Sequence, residues 1–253
     1  MKKTVGFLAL ILFVLVPLAK SADEEIGVVI KNIQQKVESL NSYQADMEMV
    51  FLKSSQGVTN VEGHIEFVKP DKLNMIMGVK DEEKTRQYMY SDGMIIWQYM
   101  PMFKVVSKVD LAALKKEFPN AEDLVKNQSK SENSIYDIEK NNIKYSGIET
   151  LDGEEVYVFE GKMNPDVEKG MDMPVDIVSV KVWISTKDGL QRKVEYYGEN
   201  NEAVLYQKMN NVKTNIEIPD SEFQFQVPEG VAVLDTTPRA REMLKQKMPQ
   251  DEK

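Results

Sequence analysis

The residue types that usually carry catalysis are sparse in this chain of 253 residues. His64 is its single histidine and cysteine is absent. There is thus no thiol nucleophile and no Cys/His zinc spacing, and the sequence holds neither a Gly-x-Ser-x-Gly elbow nor a phosphate-cradling glycine loop. A lone histidine on the polar side of an alternating segment reads as solvated rather than as a metal ligand. Aspartate and glutamate are plentiful and any two could meet in a fold, yet their spacing reads as wet strand faces. The expectation is a protein that is not an enzyme, with no cofactor and no metal.

Methionine is the residue type that stands out. Fifteen methionines exceed nine phenylalanines, and this flexible, polarizable side chain suits surfaces that accommodate ligands of variable shape. Met47, Met49, Met75, Met77, Met89, Met94, Met100 and Met102 all fall in segments that read as strands or their connections. Ordinary core is the competing reading, and alternation alone leaves open which of them point inward.

The elements that must position them follow from periodicity. The stretch from Thr85 to Val106 reads as a hairpin, because Ser91-Asp92-Gly93 separates two apolar runs and an Asp-Gly turn calls for positive φ at both central residues. Ile95, Trp97 and Tyr99 alternate with Met94, Ile96, Gln98 and Met100, so both faces of the return strand need covering. Tyr43 to Lys53 and Val61 to Phe67 each alternate between a dry and a wet face. From Asp23 to Leu40, apolar residues at 26, 29, 30, 33, 37 and 40 predict an amphipathic helix packed on the sheet.

Leu111, Leu114 and Phe118, then Leu124 and Val125 beyond Pro119, predict two short amphipathic segments. The second half returns to strands at Asn142 to Leu151, Glu155 to Met163, Ile177 to Ser185, Leu190 to Tyr197 and Ala203 to Ile218, joined by turns at Asp152-Gly153, Asp188-Gly189 and Asn200-Asn201. Hairpin-linked strands without βαβ-length helices argue for one antiparallel sheet curling on itself. The long connection from Asn164 to Asp176 reads either as a rim or gate or as a solvated insertion.

The order of three phrases, KVESLNSYQADMEMVFLK, VEGHIEFVKPDKLNM and YSDGMIIWQYMPMFKVV, resembles the periplasmic outer-membrane lipoprotein carriers, the LolA-like family, and FQFQVPEGVAV from Phe223 to Val233 is similar to that family's closing strand phrase. The resemblance implies an α+β, mainly β fold, in which a strongly curved antiparallel sheet forms a half-open barrel with an N-terminal helix and a helical lid over an apolar cavity. It implies a cavity lined by Met47, Met49, Leu73, Met75, Met77, Met89, Met94, Trp97, Met100 and Met102, with Leu73 at its mouth, and a lid carrying Leu111, Leu114 and Phe118. In the family an arginine before the strand-ending proline hydrogen-bonds the lid. Lys69 stands at that position and is the latch candidate, although it lacks the planar fork of arginine.

The implied function is carriage of lipoprotein acyl chains by a monomer, from an inner-membrane donor complex to an outer-membrane acceptor. Carriage of another lipid or glycolipid is the alternative, as is a periplasmic sensor or anti-sigma regulator on the same fold. Residues 1–22, with Lys2, Lys3 and an apolar run from Val5 to Leu18, read as a signal peptide cleaved near Ser21 or Ala22, against a competing uncleaved anchor. Without a cysteine after that run, no lipid would join the mature N-terminus. Residues 23–235 are expected to form one domain and 236–253 a charged helix or tail. Losing Lys2, Lys3 and Lys20 takes the formal charge from −9 to −12, which argues against nucleic acid or an anionic membrane as the main partner.

Overall fold

The computed structural model describes residues 22–54, 57–119, 121–122, 124–125, 134–168 and 176–247. The expected signal peptide, the polar stretch from Asn127 to Asn133, the middle of the Asn164 to Asp176 connection and the chain beyond Lys247 lie outside them.

The chain opens with helix α1 (Ala22–Ser39), followed by strands β1 (Ser42–Ser54), β2 (Gly57–Val68), β3 (Lys72–Val79), β4 (Gln87–Asp92), β5 (Ile95–Met100) and β6 (Val105–Asp110). A short helix α2 (Leu111–Glu117) comes next, then β7 (Lys144–Leu151), β8 (Glu154–Lys162) and the single turn α3 (Pro165–Glu168). Strands β9 (Ser179–Ser185), β10 (Gln191–Tyr197), β11 (Ala203–Thr214) and β12 (Ala232–Asp235) and helix α4 (Thr237–Lys247) complete it.

All twelve strands belong to one sheet in the order β12-β6-β5-β4-β3-β2-β1-β11-β10-β9-β8-β7. The two ends do not pair with each other, so the curved sheet is a half-open barrel. Every neighbour runs antiparallel except β12, which returns from the chain's far end to pair parallel with β6, Ala232 opposite Val105. That strand has four residues and begins within the Phe223 to Val233 phrase. Strand β1 sits mid-sheet between β2 and β11, with Met47 opposite both Gly63 and Met209. Between Gln44 and Asp46 its register against β11 slips by one residue, beside Asn211 with φ of 52°. This β-bulge sharpens the local bend of the sheet.

Two large apolar clusters share this sheet with a small third one of Val156, Val158 and Trp183. One gathers Ile33 of α1 with Val180, Val182, Ile184, Val194, Ile135, Ile138 and Phe159. The other gathers Tyr43, Ala45, Met47, Ile65, Phe67 and Leu73 with Leu111, Leu114 and Phe118 around α2 and with Ala240 and Leu244 of α4. The apolar stripe of α1 serves the first cluster through Ile33 and reaches the second through Val37.

The hairpin turn differs from the expectation in one respect. Gly93 has φ of 87° but Asp92 is not in the left-handed region. Asp92 instead accepts hydrogen bonds on Oδ1 from the backbone N–H groups of Met94 (2.8 Å) and Ile95 (2.9 Å). Its side chain closes the turn that a second positive φ would otherwise form.

Candidate functional site

Cross-strand pairing lays the inner side chains of β1 to β5 in rows. One row runs Met209, Met47, Gly63, Met77 and a second Ala45, Ile65, Met75, Met89. Gly63 has a specific role here: a Cβ at this position would come within 2.9 Å of Met77 Cγ and 3.2 Å of Met47 Cε. Its missing side chain is the space into which two methionines from opposite neighbours converge. Met75, Met77 and Met89 are half-buried and pack against this cluster, while Met47 and Met209 are buried in it.

The cover over these rows includes α2 and, beyond it, Ala121 and Val125, both buried in the same cluster. Asp110 caps α2 by accepting from Ala113 N at 2.8 Å, and the helix turns Leu111 and Leu114, both fully buried, onto the sheet. Phe118, just past its end, is buried as well. The other cluster is covered by the eighteen residues of α1 and by the short turns that carry Ile135 and Ile138. Five methionines (47, 75, 77, 89 and 209) belong to or pack on the cluster under α2, and two (49 and 163) on the cluster under α1. Branched aliphatics fill the latter instead.

At the rim the methionine rows open into a groove of about 420 Å³, lined by Val61, Met77, Val79, Met100, Met102 and Phe103 together with the polar Lys84, Thr85, Arg86 and Gln87. A larger groove, about 580 Å³, lies near the β7–β8 turn and is walled by Asp152, Glu154, Lys187, Asp188, Arg192, Lys208 and Lys213. Its wall carries seven charged side chains against two, Lys84 and Arg86, in the smaller groove, which is the one that continues from the methionine rows through Met77. Arg192 is committed there: its guanidinium binds Glu154 at 2.8 and 3.0 Å and Asp188 at 2.7 Å.

The remaining sequence-derived candidates separate by position. Met49 packs on the cluster under α1. Met94 and Met102, at 61% and 60% exposure, sit in turns. Trp97 faces away from the methionine rows: its ring lies 5.7 Å from that of Phe225, which also stacks on Tyr90 at 5.4 Å. The return strand does need cover on both faces, and a distant segment supplies the second cover. Leu73, expected at a mouth, is fully buried in the cluster.

Among the described residues Lys69 bonds to the end of α1 and not to α2. Its Nζ donates to the carbonyls of Glu38 at 2.6 Å and Val37 at 3.3 Å, capping the end of α1, where helical carbonyls lack intrahelical donors and favour a cation. The contact to α2 is made by Lys115, which pairs with the side chain of Asp71 and donates to the Gly93 carbonyl at 3.0 Å. Asp71, Lys115, Met209 and the docked residues of α4 went unnoticed in the sequence. Extending the dry-face parity to β11 would have found Met209.

Two polar groups complete the picture. On the wet face His64 Nδ1 lies 2.7 Å from Asp46 Oδ1, and hydrogen bonds from Asn211 and then from His64 hold the Asp46 carboxyl below its usual range. Inside the α1-covered half, burial pushes the Asp137 carboxyl up, partly offset by the hydrogen bond it accepts from Tyr196 Oη at 2.7 Å. Among the described residues no group of three His, Cys, Asp or Glu side chains is arranged to hold a metal ion, and no helix is long and apolar enough to cross a membrane.

No family model matches the chain. An uncharacterized protein of Methanocaldococcus jannaschii is 28% identical over 230 residues, 85% of this chain, and the chain spans about half (54%) of that relative's length. Among solved structures, an uncharacterized conserved protein from Thermus thermophilus overlays with a TM-score of 0.52 at 8% identity, covering 82% of this chain and 99% of its own. Looser likenesses are to the Mycobacterium tuberculosis lipoprotein LppX (TM-score 0.45, 14% identity, 78% and 98% covered) and to a LolA superfamily protein from Nitrosomonas europaea (0.32, 14%, 77% and 97%). The overlay on the Thermus protein gives a shared fold. That fold, a curved and unclosed antiparallel sheet with an N-terminal helix, is the α+β, mainly β architecture that the resemblance to the LolA-like family implies.

Proposed function

We propose that this protein is a non-catalytic carrier that encloses lipoprotein acyl chains in its methionine-lined interior and moves them through the periplasm, from an inner-membrane donor to an outer-membrane acceptor. The observation that supports this reading best is the contrast between two clusters on one sheet. The half sealed by the long helix holds two methionines among its branched aliphatics, whereas five methionines belong to or pack on the half under α2 and α4. Branched side chains specify a fixed core and methionine tolerates a changing one.

Enclosure is needed because each buried methylene contributes about 0.8 kcal/mol. Release is needed because a carrier must give its cargo up. Native mass spectrometry of the protein purified from its own host tests the reading. Co-purifying lipoprotein supports it, bound phospholipid or glycolipid replaces it with carriage of free lipid, and an empty protein bound to a membrane regulator overturns carriage altogether.

A further inference from the structure

Helix α4 is the least expected occupant of the methionine interior. Arg239, Arg241, Glu242, Lys245 and Gln246 make it read as a solvated tail, yet Ala240 and Leu244 are 8% and 4% exposed and belong to the cluster that holds Met47, Met209, Leu114 and Phe118. Met243 on the same helix remains 47% exposed, so among the described residues the apolar docking rests on Ala240 and Leu244, beside the buried polar Thr237. A helix held by so little apolar surface is displaceable.

Its remaining attachments run to α2. Arg241 Nε and Nη2 bind the two oxygens of Glu117, each at 2.9 Å, in a bidentate pair. Thr237 Oγ1 accepts from the N–H of Asp110 at 2.9 Å, and Asp110 is the residue that caps α2. Thr236 donates through its N–H and its hydroxyl to the Lys108 carbonyl, at 2.9 and 3.0 Å. The base of α4 is thereby fixed to the strand leading into α2 and its middle is tied to the end of α2.

We propose that α4 is a tethered internal occupant of the carrier's interior. It fills space that cargo needs, and it is released together with α2 as one unit. This rests on the reading of the interior as the cargo site. Cargo then competes with the protein's own C-terminal helix, and apparent affinity is reduced by the fraction of molecules in which the helix is docked. The amphipathic helix stands in for an acyl chain, covering apolar surface that would otherwise face water between deliveries.

The test uses the full chain and cis-parinaric acid, a fatty acid whose fluorescence rises in apolar surroundings. Leu244→Glu cannot bury its carboxylate and undocks α4, so probe binding should tighten roughly tenfold. Arg241→Glu sets like charges against Glu117 and should tighten binding about threefold, an effect reversed by adding Glu117→Arg. Amide exchange at residues 111–118 should quicken in both single variants. A folded Leu244→Glu that binds no tighter overturns the proposal, as does tightening by Arg241→Glu that the second change fails to reverse. If Leu244→Glu does not fold, the Arg241 pair decides. If neither parent nor variants bind the probe, the cargo site is lost, and exchange at 111–118 alone decides whether α2 and α4 move as a unit.

Discussion

Lys115 and Asp71 form the ion pair that fastens α2 to the sheet, and the Asp71 side chain is 5% exposed against 32% for Lys115. The pair lies beside the hairpin turn, where a Cβ on Gly93 would come within 2.8 Å of Asp71 Oδ1. Glycine at position 93 thus provides the turn's φ and also the room for the carboxylate.

Removing Lys115 strands that buried carboxylate. Lys115→Met should lower unfolding stability by about 2 kcal/mol, below the roughly 3–5 kcal/mol of a fully buried pair because the lysine is partly solvated. Urea denaturation measures the loss, and amide exchange should quicken at residues 111–118. Lys69→Met provides the contrast: exchange should quicken near residues 36–41 and stay unchanged across α2. Equal effects of both changes on α2 would return Lys69 to the lid.

The buried and half-buried members of the methionine cluster should separate in stability measurements. Leu73→Ala should cost about 3 kcal/mol, since Leu73 has no exposed surface and its loss leaves a cavity. Met77→Ala, at the rim groove, should cost about 1 kcal/mol, because its neighbours can collapse or water can enter. Thermal and urea midpoints of the two variants check the order, and a reversed order would place Leu73 at an adaptable mouth.

Asp137 gives a pH signature with a definite sign. Burial raises its folded value above the ordinary 3.8, so between those values the folded state holds more protons than the unfolded one. Stability contributed by this group therefore falls as pH rises through that window. Asp137→Asn keeps an acceptor for Tyr196 and removes the charge. The variant should be more stable than the parent near pH 7, with the gap narrowing as pH is lowered toward about 4. Denaturation midpoints that stay parallel across pH would show that Asp137 carries no buried charge.

Much of the sheet was readable because β1 and β2 alternate between a wet and a dry face, and one dry face suffices to fix a strand's register. The side to which β5 turns its aromatic residues was not readable. Both of its faces are apolar, and Phe225, which covers Trp97, lies far along the chain. The stripe of Leu111, Leu114 and Phe118 predicted the helix α2 directly. Lys69 was misplaced because resemblance supplied a partner, whereas spatial proximity gives it the end of α1. The docking of α4 stayed hidden because two buried residues among many charges leave little periodicity to detect.

The central position of β1 governs the order in which the molecule can assemble. Strand β2 follows within a few residues, but the partner on its other side, β11, lies roughly 160 residues later, so this pairing is among the most non-local in the fold. A chain emerging N-terminus first carries an open strand edge, with Met47 and Phe51 on its dry face, until most of its length is available. Folding speed is then set by one late closure in the middle of the sheet, and the growing chain is most prone to aggregate before that closure occurs.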